Sequence, residues 1–154
     1  MWVLLGVPLA AFSLPEPMSP PRLVNDFAGL LSDSQQQALE QKLENFDRET
    51  STQIAVVTVN DLEGYAPSDY AQRLHEQWGV GRKGKDNGIL ILIKPSTADS
   101  RGEAFISVGY GLEGVVPDIT AGRILDVEMI PAFRKGDIYT GLDRSVDVLM
   151  QLTR

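Results

Sequence analysis

Hydrophobic positions follow two patterns along the chain, continuous runs and helical spacing, and each pattern predicts its own kind of element. Continuous runs of mostly branched, largely apolar residues, at 54–59 and 89–93, are typical of strands that are buried on both faces. Apolar residues at helical spacing fill the stretches before, between and after these runs. The pattern predicts a third strand at 104–108 and helices at about 32–50, 68–78, 119–131 and 137–152, the first of which begins at a capping-box pair, Ser32 and Gln35.

The order of these elements restricts the fold. A helix separates the first two strands, which predicts a parallel pair with a right-handed crossover. Only a polar turn at 95–102 separates the second and third strands, so the third strand should return antiparallel as a hairpin. Helices then cover both faces of a small mixed sheet, and we predict an α/β fold of the three-layer α/β/α sandwich class.

The first 15 residues carry no charge and are largely apolar. This run is too short to cross a bilayer as a helix, but it has the length of the apolar part of a signal peptide, although the usual positive charges before it are missing. We therefore expect an exported, periplasmic or extracytoplasmic protein with an apolar leader at 1–15, a proline-rich linker at 16–21 and one domain at 22–154. An apolar arm that packs on the domain is the alternative. No second apolar segment follows, so we expect no membrane-spanning helix in the mature chain.

Composition narrows the chemistry. The 154 residues include 21 acidic and 14 basic side chains, no cysteine and one histidine, His75. The net charge of −7 argues against a nucleic-acid partner, and the missing cysteines exclude thiol catalysis and Cys/His zinc sites. We expect His75 on a helix surface, and with no G-x-S-x-G motif a serine-hydrolase arrangement is not expected. Carboxylates, hydroxyls and amides remain, and these suit hard cations.

Two glycine-rich loops should bring acidic residues to one edge of the sheet. The second strand begins just after Asp86 and Asn87, and the antiparallel third strand ends just before Gly109. Both loops therefore lie at the same edge, where four oxygen-bearing side chains converge: Asp86, Asn87, Glu113 and Asp118. Carboxylate, amide and backbone oxygens are the ligands that Ca²⁺ or Mg²⁺ prefers, so this edge is a candidate divalent-cation site.

Ordinary roles remain open for each of these residues. Asp86 and Asn87 are also common turn residues, and Asp118 is also placed to cap the following helix. The basic residues of the first loop either hold a phosphate beside the metal or belong to a solvated loop; they are Arg82, Lys83 and Lys85.

Four ordered segments of this chain resemble the TPM domain family, which is named for thylakoid-lumen and photosystem-repair proteins. The first segment begins at Val24 and reads VNDFAGLLS, and the second begins at Trp78 and reads WGVG followed by KGKDNG. The third begins at Gly109 and reads GYGLEG, and the fourth begins at Ile130 and reads IPAF followed by GD and GL. The resemblance runs from about residue 23 to the C-terminus. It implies an α/β/α sandwich, exported or membrane-tethered proteins, divalent-cation binding at one sheet edge, and acid phosphatase activity in some members.

The resemblance also implies a ligand set. By position, Asp86, Asn87, Glu113 and Asp118 match the acidic loop motifs, and Asp26 matches the acidic residue of the opening motif. The predicted topology does not by itself bring Asp26 to the loops. Arg82 stands where the family often has an acidic or polar residue, which is a departure from the pattern.

Three functions follow from these observations. The first is a domain that binds Ca²⁺ or Mg²⁺ and acts as an interaction or quality-control module for envelope or membrane proteins. The alternative is a metal-dependent acid phosphatase that hydrolyses phosphomonoesters, although the chain lacks the multi-carboxylate pattern of two-metal phosphatases. A scaffold without a ligand is the third. The sequence favours the binding domain and leaves catalysis open.

Overall fold

The computed structural model describes residues 14–154, in which four strands form one mixed sheet. The strands lie side by side in chain order: β1 (Val24–Asp26), β2 (Gln53–Thr58), β3 (Gly88–Lys94) and β4 (Glu103–Val108). β1, β2 and β3 are parallel, and β4 pairs antiparallel with β3. The predicted parallel pair and the predicted hairpin are therefore both confirmed.

The described part of the chain contains five α-helices: α1 (Asp33–Thr50), α2 (Pro67–Trp78), α3 (Asp118–Ile124), α4 (Ile130–Arg134) and α5 (Ile138–Thr153). Alternate residues of β3 point to opposite faces of the sheet, so Leu90 and Leu92 pack under α2 while Ile89 and Ile91 pack under α1 and α5. Apolar cores on both faces confirm the three-layer α/β/α fold class.

The first helix begins and ends as its sequence predicts. Ser32 Oγ accepts the backbone N–H of Gln35 at 3.2 Å, and Gln35 Oε1 accepts the N–H of Ser32 at 3.0 Å, which completes the capping box. The helix ends at Thr50, after which Ser51 adopts a left-handed conformation with φ of 68°.

Strand β1 is a feature that the periodicity did not predict. It has only three residues, too few to show a period. Its position depends on a distant side chain, because the carboxylate of Glu40 on α1 accepts the backbone N–H groups of Leu23 and Val24 at 2.7–3.0 Å. This contact holds the start of the domain against the first helix.

The prediction that a helix ends at Pro131 is wrong. Between α3 and α4, Leu125–Met129 forms a π-turn in which the N–H of Ile130 bonds to the carbonyl of Leu125. The wider turn places Pro131 in the first turn of α4, where a missing N–H removes no helical hydrogen bond, and the helix continues to Arg134.

Most of the predicted leader lies outside the described residues, which include only its last two positions. Leu14 packs against the apolar core under α2, and the indole N–H of Trp78 donates to the carbonyl of Pro15 at 2.9 Å. The N–H of Met18 donates to Asn25 Oδ1 at 3.0 Å, so the proline-rich segment lies against the domain. Among the helices of residues 14–154, none combines the length and the apolar run that crossing a bilayer requires.

Candidate functional site

The start of β3 and the end of β4 meet at one edge of the sheet, where two glycine-rich loops begin and end. The register pairs Ile89 with Val108 there. Beyond that pair, the N–H of Gly109 donates to the carbonyl of Gly88 at 2.8 Å, and the N–H of Gly111 donates to the carbonyl of Asp86 at 2.9 Å. The structure therefore brings the two loops together as predicted, and we call residues 82–88 with 109–118 the loop edge.

The two loops approach so closely that side chains are excluded between them. A Cβ atom on Gly109 would overlap the carbonyl of Asp86, and one on Gly111 would overlap the carbonyl of Lys85. Glycine is required at both positions because the backbones touch directly. The loop edge is thus held by main-chain contacts.

Three of the predicted ligands are exposed at the loop edge. Asp86, Glu113 and Asp118 accept no side-chain hydrogen bond from any residue in the range 14–154. Asp118 is the first residue of α3 but does not cap it, because Pro117 occupies the N-cap position. The carboxylates are therefore available to a ligand from solvent.

Asn87, the fourth predicted ligand at this edge, has its amide engaged at both ends. Its Oδ1 accepts the N–H of Arg82 at 2.8 Å, and its Nδ2 donates to the carbonyl of Ser51 at 2.6 Å. Gln53 acts similarly, since its Oε1 accepts the N–H of Gly81 at 2.8 Å. These two amides fix the first loop to the rest of the fold.

Asp26 lies away from the other four predicted ligands. It ends β1 and pairs with Thr58 at the far end of β2, which is the opposite edge of the sheet. Its carboxylate accepts the hydroxyl of Thr58 at 2.6 Å and the N–H groups of Leu30 and Leu31 at 2.9 Å. The structure therefore does not bring Asp26 to the loop edge, because Asp26 holds the turn between β1 and α1.

The donor set at the loop edge limits what kind of cation it fits. Within the described residues, no three Asp, Glu or His side chains are grouped closely enough to hold one metal ion. Single exposed carboxylates and backbone carbonyls are what remains. Such a set would supply only part of the coordination shell of Ca²⁺ or Mg²⁺, with water as the remaining ligands, and it does not fit a dehydrated multi-carboxylate centre.

The basic residues of the first loop differ in their partners. Arg82 Nη2 lies 2.6 Å from Asp47 Oδ1 on α1, so its charge is already paired. Lys83 and Lys85 form no ion pair with any residue between 14 and 154. The unpaired positive charge near the loop edge therefore belongs to these two lysines.

A groove of about 760 Å³ lies between α2, the end of β4 and the first loop. His75 from α2 and Ser107 from β4 line it, with Lys83 and Asp86 from the loop and Tyr110 from the turn after β4. The ring of Tyr110 is 80% exposed. This volume is in the range of small-molecule sites, which are commonly about 300–1,000 Å³.

His75 is half-buried against β4 and lines the groove, so the expectation of a helix-surface residue holds only in part. Its Nδ1 is 3.0 Å from Ser107 Oγ, and Ser107 is only 6% exposed. Burial lowers the pKa of His75 below its usual value of 6.5, although backbone hydrogen bonds at Val80 and Ser107 and the charge of Asp86 act in the opposite direction. The imidazole is therefore neutral at neutral pH.

The signal for this pair was present in the sequence. His75 stands four residues after Ala71 and three before Trp78, on the helix face that these two apolar residues share. Ser107 is a polar residue between apolar neighbours in the strand β4 and shares its face with Phe105. Only the packing of α2 on β4 shows that the two meet.

Comparisons with known proteins agree with this geometry. The model of the TPM domain family matches residues 24–152. The NMR structure of an N-terminal domain from P. gingivalis is 36% identical, covers 85% of this chain and 81% of its own, and superposes with a TM-score of 0.74. No curated protein matches the chain.

Two more distant NMR structures share the fold. An N-terminal domain from Corynebacterium glutamicum is 15% identical over 92% of this chain and 86% of its own, with a TM-score of 0.66. A protein from the psychrophilic bacterium Bizionia argentinensis is 18% identical over 80% of this chain and 81% of its own, with a TM-score of 0.65. At these identities the likeness concerns the fold alone.

Proposed function

Because the chain belongs to the TPM domain family, we propose that it is an exported domain that binds a divalent cation at its loop edge. The cation is Ca²⁺ or Mg²⁺, and the domain acts as an interaction or quality-control module for envelope or membrane proteins. In this role, cation binding changes the charge of the exposed surface that a partner contacts.

One observation carries this proposal: the loop edge is already held by its backbone while its carboxylates have no partners. The bonds from Gly109 and Gly111 order both loops, so a cation does not have to order them. The carboxylates of Asp86 and Glu113 accept no hydrogen bond from the described residues, so a cation that binds them breaks no existing hydrogen bond. Both facts lower the free-energy cost of binding.

The same donor set predicts a weak site. Ligand charge count and site rigidity set the affinity for Ca²⁺, and extracellular modules with few charged ligands have dissociation constants of about 10⁻⁴–10⁻³ M. The nearby lysines reduce the negative potential further. We therefore expect binding in the millimolar range.

A titration of the full chain with CaCl₂ and MgCl₂, followed by amide NMR shifts, tests the proposal. Signals from 83–88 and 109–118 should move, and the shifts should weaken in Asp86→Asn and Glu113→Gln. Asparagine tolerates the left-handed backbone of Asp86, whose φ is 49°, so the first variant keeps the loop. Asp99→Asn is the matched control, because Asp99 lies in the turn at the opposite end of β3 and β4. Shifts that are absent, or equal in all variants, contradict a cation site.

Metal-dependent hydrolysis of phosphomonoesters is the alternative function. Lys83 favours it, because an ammonium with no ion pair among residues 14–154 is available to a phosphate beside the loop edge. Turnover of p-nitrophenyl phosphate that requires Ca²⁺ or Mg²⁺, and that Glu113→Gln with Asp118→Asn abolishes, would support the enzyme. Cation binding without such turnover would contradict the enzyme and support the cation-binding interaction domain.

A further inference from the structure

His75 and Ser107 meet at the floor of the groove, and the proposed cation-binding function uses neither of them. The imidazole comes from the last turn of α2 and the hydroxyl from the end of β4, so two packed elements fix their separation of 3.0 Å. Both residues line the groove. A hydroxyl and an imidazole at this distance form the minimal arrangement for an activated nucleophile.

We propose that Ser107 is a nucleophile and His75 its base, and that the pair cleaves carboxylic esters that enter the groove. As Ser107 Oγ forms a bond with the ester carbonyl carbon, its proton passes to His75 Nδ1. The bond between that carbon and the leaving oxygen breaks, and the alcohol takes the proton from His75 as it departs. Water then releases the acid from the acyl-serine with the same base.

The surroundings of His75 suit a base. Burial lowers the pKa of this half-buried imidazole, so the ring is able to accept the hydroxyl proton at neutral pH. Backbone hydrogen bonds at Val80 and Ser107 favour the protonated ring and so oppose the effect of burial on its pKa. The carboxylate of Asp86, in the loop that faces the ring, stabilises the imidazolium that the step forms.

The groove indicates the class of ester. Val80 and Val108 supply apolar walls, and the exposed ring of Tyr110 stands at the rim, so a short apolar or aromatic ester fits better than a highly charged one. The ammonium of Lys83 lies in the same lining and has no ion pair among residues 14–154. This ammonium is placed to stabilise the negative charge that develops on the ester carbonyl oxygen when Ser107 attacks.

The test uses the full chain in EDTA, so that its outcome does not depend on the cation site. A fluorophosphonate probe is incubated with the folded protein, and the adduct is located by peptide mass spectrometry. The expected adduct is on Ser107, because only a hydroxyl with a base beside it reacts readily with this probe. Wild-type protein suffices for this step, so the result does not rely on a variant that fails to fold.

Turnover of p-nitrophenyl acetate and butyrate tests the same pair with an ester. Ser107→Ala should lower the rate at least about 100-fold, and His75→Gln should lower it by about the same factor, as is usual for loss of a general base. Ser145→Ala is the matched control, since it removes a buried hydroxyl on α5 that bonds to the Gly141 carbonyl away from the groove. Melting temperatures of all variants establish that they are folded.

Two outcomes would overturn the proposal. One is a folded wild-type protein with no adduct on Ser107. The other is a Ser107→Ala variant that keeps the esterase rate, which would mean that His75 alone reacts with the ester. Either result would make the pair a structural contact between α2 and β4.

Discussion

The two edges of the sheet place acidic residues in opposite environments. Where β1 and β2 end, Asp26 is 7% exposed and its carboxylate accepts three hydrogen bonds. At the loop edge, Asp86, Glu113 and Asp118 are exposed and their carboxylates accept none from the described residues. A carboxylate with all its bonds made inside the protein fixes a conformation, whereas one without partners is free to bind a ligand.

This difference separates two roles that a sequence motif does not distinguish. The resemblance implies one ligand set that contains both Asp26 and the loop acids, yet the local geometry assigns Asp26 to the fold. Its partners Leu30 and Leu31 precede α1, so Asp26 links the end of the first strand to the start of the first helix. The loop acids make no comparable contact in the described chain.

The largest effect that follows from this comparison is on stability. Asp26→Ala should lower the free energy of unfolding by about 3 kcal/mol, because it leaves the N–H groups of Leu30 and Leu31 and the hydroxyl of Thr58 without their acceptor. Glu113→Ala should change it by no more than about 0.5 kcal/mol, as is usual for exposed residues without partners. Urea unfolding measures both values. Equal losses in the two variants would remove the distinction between the edges.

The contacts of Asp26 also show what the sequence did and did not predict. The parallel pair, the hairpin and the helix that begins at Ser32 follow from local patterns, and the structure has all three. Strand β1 does not follow from such a pattern, because its position depends on Glu40, which is 16 residues away from Val24 in the chain. Long-range hydrogen bonds of this kind leave no period in the sequence.

The strand topology predicted the position of the loop edge, but it did not predict which of the side chains there have partners. The predicted directions of two strands place Asp86 and Gly109 together, and the backbone hydrogen bonds between the two loops confirm that placement. The engagement of Asn87 with Arg82 and Ser51 was not predictable, since it depends on how the loop folds back. The sequence therefore located the edge, whereas the structure sorted its residues into supporting and exposed ones.

The second prediction concerns how the loop edge is held. Gly111→Ala should destabilise the protein by about 2 kcal/mol, because the added Cβ overlaps the Lys85 carbonyl and backbone must shift. Gly114→Ala is the matched control: nothing lies within 4 Å of a Cβ there, and we expect almost no change. Urea unfolding compares the two variants. A Gly111→Ala protein as stable as Gly114→Ala would mean that close backbone contact does not hold the two loops together.

The smallest effect that we expect is a difference between the two edges in their response to pH. His75 is the one histidine of the chain and lies beside the loop edge, where Glu76, Arg82, Lys83 and Asp86 are the charged groups around it. Burial lowers the pKa of His75 in the folded protein below 6.5, so the unfolded chain binds a proton more readily. The stability due to the neutral imidazole is complete above about pH 6.5 and is lost as the pH falls through the folded pKa.

Between pH 7 and pH 5 the wild type should therefore lose more stability than His75→Gln, which carries no titrating group at that position. Over the same range, amide NMR signals near Ser107 and Asp86 should move with a midpoint below pH 6.5, because they contact or face the ring. Signals at 58–61, at the far edge, should not follow that midpoint. A common titration at both edges, or equal losses of stability in the two proteins, would show that His75 does not act locally. A midpoint confined to the groove would make the loop edge the part of the sheet that responds to protons, while the Asp26 edge serves only to hold the fold.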